Sequence, residues 1–188
     1  MPLITHPLVL RPMDCLHCGE SPTERPVVRL WHKLARIFTA GWKQAKDSCV
    51  AVHTAIVYQI RKQLLVVEMI GLKQGLRISS LELTHDGRPR NVIAITRYSI
   101  YDDLLVRNDA LDRIDYDVRK TIEYDFKGCL EFAINRLRDD PNRLICSEYF
   151  YIHAKIDGQK FPARFETRVS PWDLQTYKNK GVISIAGY

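Results

Sequence analysis

Residues 52–70 read VHTAIVYQIRKQLLVVEMI, and they predict the central hairpin of the fold. Two runs rich in β-branched and other apolar residues, 52–58 and 64–70, flank the pair Arg61-Lys62. They predict two antiparallel strands, largely buried on both faces and joined by a two-residue turn. Such a turn places His53 opposite Ile70. Glu68 then lies diagonal to His53, about 7–8 Å away by backbone and within reach of a glutamate side chain.

Strand patterns and helix patterns are segregated along the rest of the chain. Two more strands are predicted over 77–83 and 91–98, so that the middle of the chain forms an antiparallel meander. Helical spacing predicts helices over about 30–42, 102–123, 127–137 and 143–155, and a last short strand covers 182–185. Segregated elements of this kind indicate an α+β fold.

The composition of the 188 residues is that of a globular protein. Apolar residues make up 46% of the chain and charged residues 27%, which excludes disordered and low-complexity classes. No run approaches the roughly 18 consecutive apolar residues of a membrane span, and no secretory signal is evident. We therefore expect a cytoplasmic protein that acts outside the cytoplasm only after lysis or non-standard export.

The formal net charge of +6 favours weak attraction to anionic surfaces. The basic residues are not clustered, however, and no basic helix or pattern of alternating aromatic and basic residues is present. Specific binding to nucleic acid is therefore not predicted.

Residues 1–26 carry five of the nine prolines. Because proline removes a backbone donor and fixes φ, these residues predict an irregular N-terminal arm ahead of a domain over 27–188. Cys15 and Cys18 form a C-x-x-C in this arm. A structural zinc needs four ligands, and no second C-x-x-C exists, although His6 and His17 could contribute. Cys15 and Cys18 are thus weak metal candidates, and we expect no cofactor.

The segment Leu144-Ile145-Cys146-Ser147-Glu148-Tyr149 follows residues that suit a helix start, and so places Cys146 in or near a first helical turn. The positive end of the helix dipole stabilises a thiolate there, and the thiolate is the nucleophilic form. Cysteine is also among the most buried residue types, so a purely structural role is the alternative for Cys146.

A cysteine nucleophile needs a neighbouring base, which a third group must orient. His53 is the candidate base, although a lone histidine in a strand also suits a hydrogen-bonded structural role. Glu68 lies in a very apolar strand, and a buried carboxylate requires a partner. His153 is a rival base, but about 10 Å of helix axis separates it from Cys146.

The order His53, Glu68, Cys146 resembles that of the circularly permuted papain-like hydrolases, the YiiX-like branch of the NlpC superfamily. Ordinary papain-like enzymes have the cysteine before the histidine. The resemblance spans about residues 30–175 and rests on an ordered set of motifs. They are Trp31–Thr39 with Val52-His53-Thr54-Ala55-Ile56-Val57, Glu68 with Gly75, Tyr124-Asp125, Ile145-Cys146-Ser147-Glu148, and Ser170-Pro171-Trp172-Asp173-Leu174.

The chain departs from the family pattern at two places within the domain. Only Pro26-Val27-Val28-Arg29 occupies the place of the family's opening Gly-Asp strand, and Val52 stands where serine is common before the histidine.

The resemblance implies a permuted papain-like fold, in which a central antiparallel sheet or half-barrel packs against helices. It implies Cys146 as the nucleophile, His53 as the general base and Glu68 as the residue that orients His53 in a thioacyl-enzyme mechanism. Tyr124 and Ser147 are secondary candidates for the oxyanion site or pocket. A packed surface tyrosine and a helix-capping serine are their alternative roles.

The expected substrate is a peptide, a cell-wall peptide or an acyl-lipid, cleaved at an amide or ester bond. The alternative function is a non-catalytic lipid- or peptide-binding module on the same fold.

Overall fold

The computed structural model describes residues 10–20, 50–70, 75–84, 87–120, 122–124, 143–166 and 169–186, together with Leu30, Lys33 and Ile37, which are helical. Several positions that the sequence singled out lie outside the described residues. They are the rest of the predicted helix 30–42, the predicted helix 127–137, His6, Asp125 and the stretch Pro26-Val27-Val28-Arg29.

The fold is α+β, as predicted, and is built on a six-stranded antiparallel sheet. Its strands are β1 (Cys15–Cys18), β2 (His53–Ile60), β3 (Gln63–Ile70), β4 (Gly75–Ser80), β5 (Val92–Tyr98) and β8 (Val182–Ala186). Their order across the sheet is β4-β3-β2-β1-β5-β8. Two short strands, β6 (Glu123–Tyr124) and β7 (Arg143–Leu144), form a separate parallel pair.

The predicted hairpin register is confirmed. Ile60 pairs with Gln63 and Ala55 pairs with Glu68, so Glu68 lies diagonal to His53. Arg61, in the two-residue turn, has a φ of 56°. The predicted meander is correct for β2, β3 and β4 only, because β5 pairs with β1 instead of β4.

The prediction of an irregular arm over residues 1–26 is wrong at residues 15–18. These residues form β1, which lies inside the sheet and pairs with β2 on one side and β5 on the other. All four residues of β1 are buried. A four-residue strand buried on both faces shows no alternation of apolar and polar residues, and its sequence, CLHC, suggested a metal motif instead.

Helices cover the face of the sheet that carries Cys15, Ile56 and Val67. The three described α-helices are α1 (Leu104–Lys120), α2 (Cys146–Ile156) and α3 (Pro171–Thr176), with 3₁₀ turns at Ser99–Asp102 and Ala163–Glu166. Tyr149 and Phe150 of α2 share one buried cluster with these strand residues. No helix in the described ranges has the length and apolar character needed to cross a membrane.

Gly75 permits a close contact between β4 and the segment that leads into β6. Its φ is +63°, and a Cβ atom at this position would lie 2.0 Å from the carbonyl oxygen of Ile122. The same oxygen accepts a hydrogen bond from the backbone N–H of Leu76. The position therefore requires glycine for two reasons, its backbone conformation and its lack of a side chain.

We predict that Gly75→Ala lowers the free energy of unfolding by at least about 2 kcal/mol, since strain at a left-handed position adds to the steric clash. Gly87→Ala is the matched control, because Gly87 has a φ of +78° with nothing within 4 Å of its Cβ position. Urea denaturation of the two variants measures the difference. Equal losses would show that the contact with Ile122 relaxes without cost.

Candidate active site

Cys146 is the first residue of α2 and so lies in the first helical turn, as predicted. The residue before it, Ile145, has an extended backbone. Its N–H donates a hydrogen bond to Oε2 of Glu148, in the first turn of the helix, at 3.0 Å. Leu144 pairs with Tyr124 in the short β6–β7 ladder. A strand end and a capped helix start thus fix the backbone on both sides of Cys146, whose exposed fraction is 5%.

His53 lies between Cys146 and Glu68. Its Nε2 is 2.8 Å from Glu68 Oε2. An ionised carboxylate can only accept hydrogen bonds, so Nε2 carries a proton. The His53 side chain is 22% exposed, which leaves this part of the site open to solvent.

The charges around His53 favour its protonated form. Burial by itself lowers the pKa of His53, but the charge of Cys146, a hydrogen bond to Cys146 and the contact with Glu68 together raise this pKa well above its ordinary value. The arrangement can therefore stabilise an imidazolium at His53.

Arg90 is a site residue that sequence reasoning missed. Its Nη1 donates to Glu68 Oε2 and its Nη2 to Glu68 Oε1, both at 2.7 Å, and its side chain is 1% exposed. Burial raises the pKa of Glu68, but the hydrogen bonds from Arg90 and His53 outweigh this effect and hold it well below its ordinary value. In sequence Arg90 follows a turn, where a cation is normally solvated. The available signal was the buried acid, which requires a cationic partner.

The C-x-x-C is divided between the two faces of the sheet, because residues three apart in a strand point to opposite sides. Cys15 shares a buried cluster with Cys146 on the helix side. Cys18 lies in the cluster on the other side and is the direct cross-strand partner of His53. The two thiols therefore cannot bind one metal ion together. The part of the chain that the structure describes holds no group of three residues suited to a metal.

His17, the third candidate of that motif, is enclosed within the sheet. Its Nε2 lies 2.8 Å from Thr96 Oγ1. Burial lowers the pKa of His17 to about 3, so the ring is neutral at physiological pH.

The remaining candidates occupy supporting positions. Ser147 is buried, and its hydroxyl donates to the carbonyl of Val169 at 2.8 Å. The backbone of Tyr124 pairs with Leu144, two residues before Cys146. The rival base His153 lies 2.9 Å from Asp117 Oδ2 through its Nε2, and this contact ties α2 to α1.

A scan against models of known protein families and a search of curated proteins each return no match to the chain. The chemistry of the site itself is therefore what points to a function.

Proposed function

We propose that the chain is a cysteine hydrolase with a permuted papain-like fold. The observation that carries the proposal is the position of His53, which contacts Cys146 at a helix start and is held by Glu68 through its Nε2. Nucleophile, base and orienting group in this order are the recognised arrangement for covalent catalysis by cysteine.

In the proposed reaction, the Cys146 thiolate attacks the carbonyl carbon of an amide or ester. The tetrahedral intermediate collapses to a thioacyl-enzyme, and protonated His53 gives its proton to the leaving amine or alcohol. His53 then takes a proton from water, which attacks the thioacyl carbon and releases the acid and Cys146. Glu68 stays ionised throughout and orients the ring. The substrate class is a peptide, a cell-wall peptide or an acyl-lipid.

The start of the sheet gives further support. β1 is preceded by Met13-Asp14, and Met13 has a φ of 73°, a conformation that favours glycine. Asp14 forms a two-pronged ion pair with Arg97 of β5, with both contacts at or below 2.8 Å. Met13-Asp14 is thus a better counterpart of the family's opening Gly-Asp than Pro26-Val27-Val28-Arg29.

One observation favours the alternative, a non-catalytic lipid- or peptide-binding module. Cys146 is only 5% exposed, so little of its surface is accessible to an acyl group. Thiol reactivity decides between the two functions, because a binding module needs no activated thiolate.

We predict that iodoacetamide at pH 6 alkylates Cys146 at least about tenfold faster than Cys18. An ordinary thiol is less than about 1% thiolate at this pH. Burial raises the pKa of Cys18 further. Cys18 is a close internal control because its exposed fraction is also 5% and it also lies beside His53, so neither access nor nearness to the histidine separates the two. Peptide mapping by mass spectrometry after brief labelling gives both rates.

Two variants show whether His53 causes the difference. His53→Gln should remove the preference for Cys146, because an amide carries no positive charge beside the thiolate. His153→Gln should leave the preference unchanged, since His153 contacts Asp117. Equal rates at Cys146 and Cys18 in the unaltered protein would exclude the hydrolase and favour the binding module.

A further inference from the structure

The Glu68 carboxylate is shared between two cations. Oε2 lies 2.8 Å from His53 Nε2 and accepts a second hydrogen bond from Arg90 Nη1 at 2.7 Å. Oε1 accepts from Arg90 Nη2, also at 2.7 Å, and from the hydroxyl of Ser79. Both oxygens are therefore engaged, and the acid makes more contacts with Arg90 than with the histidine it is proposed to orient.

Arg90 is anchored by groups other than Glu68. Its Nη2 also donates to the carbonyl of Leu83 at 2.9 Å and to Ser79 Oγ at 3.0 Å. A longer contact of 3.3 Å reaches the carbonyl of Ser80. A planar guanidinium that is held in this way presents a rigid fork to the carboxylate, and it stays charged at every pH at which proteins fold.

We propose that Arg90 is a positioning residue of the site, which fixes Glu68 as an anion in the orientation that accepts the Nε2–H of His53. Without a permanent cation, a buried carboxyl group favours its neutral form. A protonated Glu68 would no longer supply the negative charge that supports the His53 imidazolium. The inference rests on the proposed function, because it assigns Arg90 a part in the reactivity of Cys146.

The first test is the pH profile of Cys146 alkylation between pH 4 and pH 8. In Arg90→Met, Glu68 takes up a proton at higher pH than in the unaltered protein. The acid limb of the profile, where the alkylation rate rises with pH, should therefore shift to higher pH by about 1–3 units. Arg90→Lys keeps the charge but loses the fork and should show a smaller shift in the same direction. Arg119→Met is the control, since Arg119 pairs with Asp115 on the exposed face of α1, makes no contact with Glu68 and should leave the profile in place.

The second test follows Glu68 itself by NMR of a protein with ¹³C-labelled glutamate carboxyl groups. In the unaltered protein and in His53→Gln, Glu68 should titrate well below the ordinary glutamate pKa of about 4.3. A midpoint at or above the ordinary value in His53→Gln would overturn the inference, because Arg90 would then not be what keeps Glu68 charged. This measurement also decides the question if Arg90→Met does not fold.

The two proposals fail in different ways. If iodoacetamide alkylates Cys146 no faster than Cys18 at pH 6, the hydrolase is excluded, and with it the part of Arg90 in thiol reactivity. If the preference is present but the acid limb stays in place in both Arg90→Met and Arg90→Lys, only the role of Arg90 is overturned.

Discussion

Deletion of residues 1–25 is expected to abolish cooperative folding. The deletion removes β1 from the interior of the sheet, so that β2 and β5 each lose a hydrogen-bonded neighbour. It also exposes the apolar surfaces that Met13 and Leu16 cover, each worth about 1.5–3 kcal/mol, and leaves Arg97 without its buried partner Asp14. These losses together approach or exceed the 5–15 kcal/mol that stabilises a typical domain. Thermal melts followed by circular dichroism measure the result.

Point variants separate the loss of β1 from other effects of shortening the chain. Leu16 is fully buried in β1, so Leu16→Ala should cost about 2–5 kcal/mol. Leu105 is 76% exposed on α1, and Leu105→Ala should change the free energy of unfolding by no more than about 0.5 kcal/mol. A cooperative melt of the shortened chain near the temperature of the full chain would show that the sheet closes without β1.

Arg90→Met is expected to lower the free energy of unfolding by about 3–5 kcal/mol, because it leaves a buried carboxylate without its main partner. Glu68→Met should cost a similar amount, since it leaves the buried guanidinium of Arg90 unpaired. The double variant should lose much less than the two single losses combined, because it removes both charges from the interior. Urea denaturation of all four proteins gives the coupling energy.

An exposed ion pair provides the comparison for this cycle. Arg119 and Asp115 form a pair one helical turn apart on α1, and the Arg119 side chain is 77% exposed. Arg119→Met should cost no more than about 0.5 kcal/mol. If the losses of Arg90→Met and Glu68→Met simply add in the double variant, the two residues do not act as a pair, and the geometry around Glu68 is not maintained in solution.

Much of the site could be predicted from local sequence. The apolar runs around Arg61-Lys62 predict a hairpin with one register, and that register is enough to place Glu68 diagonal to His53. The position of Cys146 at a helix start was also predicted, although α2 begins three residues later than the pattern indicated, because Arg143 and Leu144 form β7. These features depend on neighbours in the chain or on a turn of known length, so their geometry follows from spacing.

The place of β1 and the partner of Glu68 depend on contacts between distant parts of the chain. Cys15–Cys18 is a strand only because β2 and β5 supply hydrogen bonds on both sides, and four residues buried on both faces show no periodicity of their own. Arg90 lies 22 residues from Glu68 and follows a turn, where a cation is normally solvated. Local sequence was thus enough for the α+β class, the hairpin and the residues proposed for the chemistry. The strand that completes the sheet and the cation that holds Glu68 follow from the folded chain, because burial and long-range pairing are set by the packing of the whole molecule.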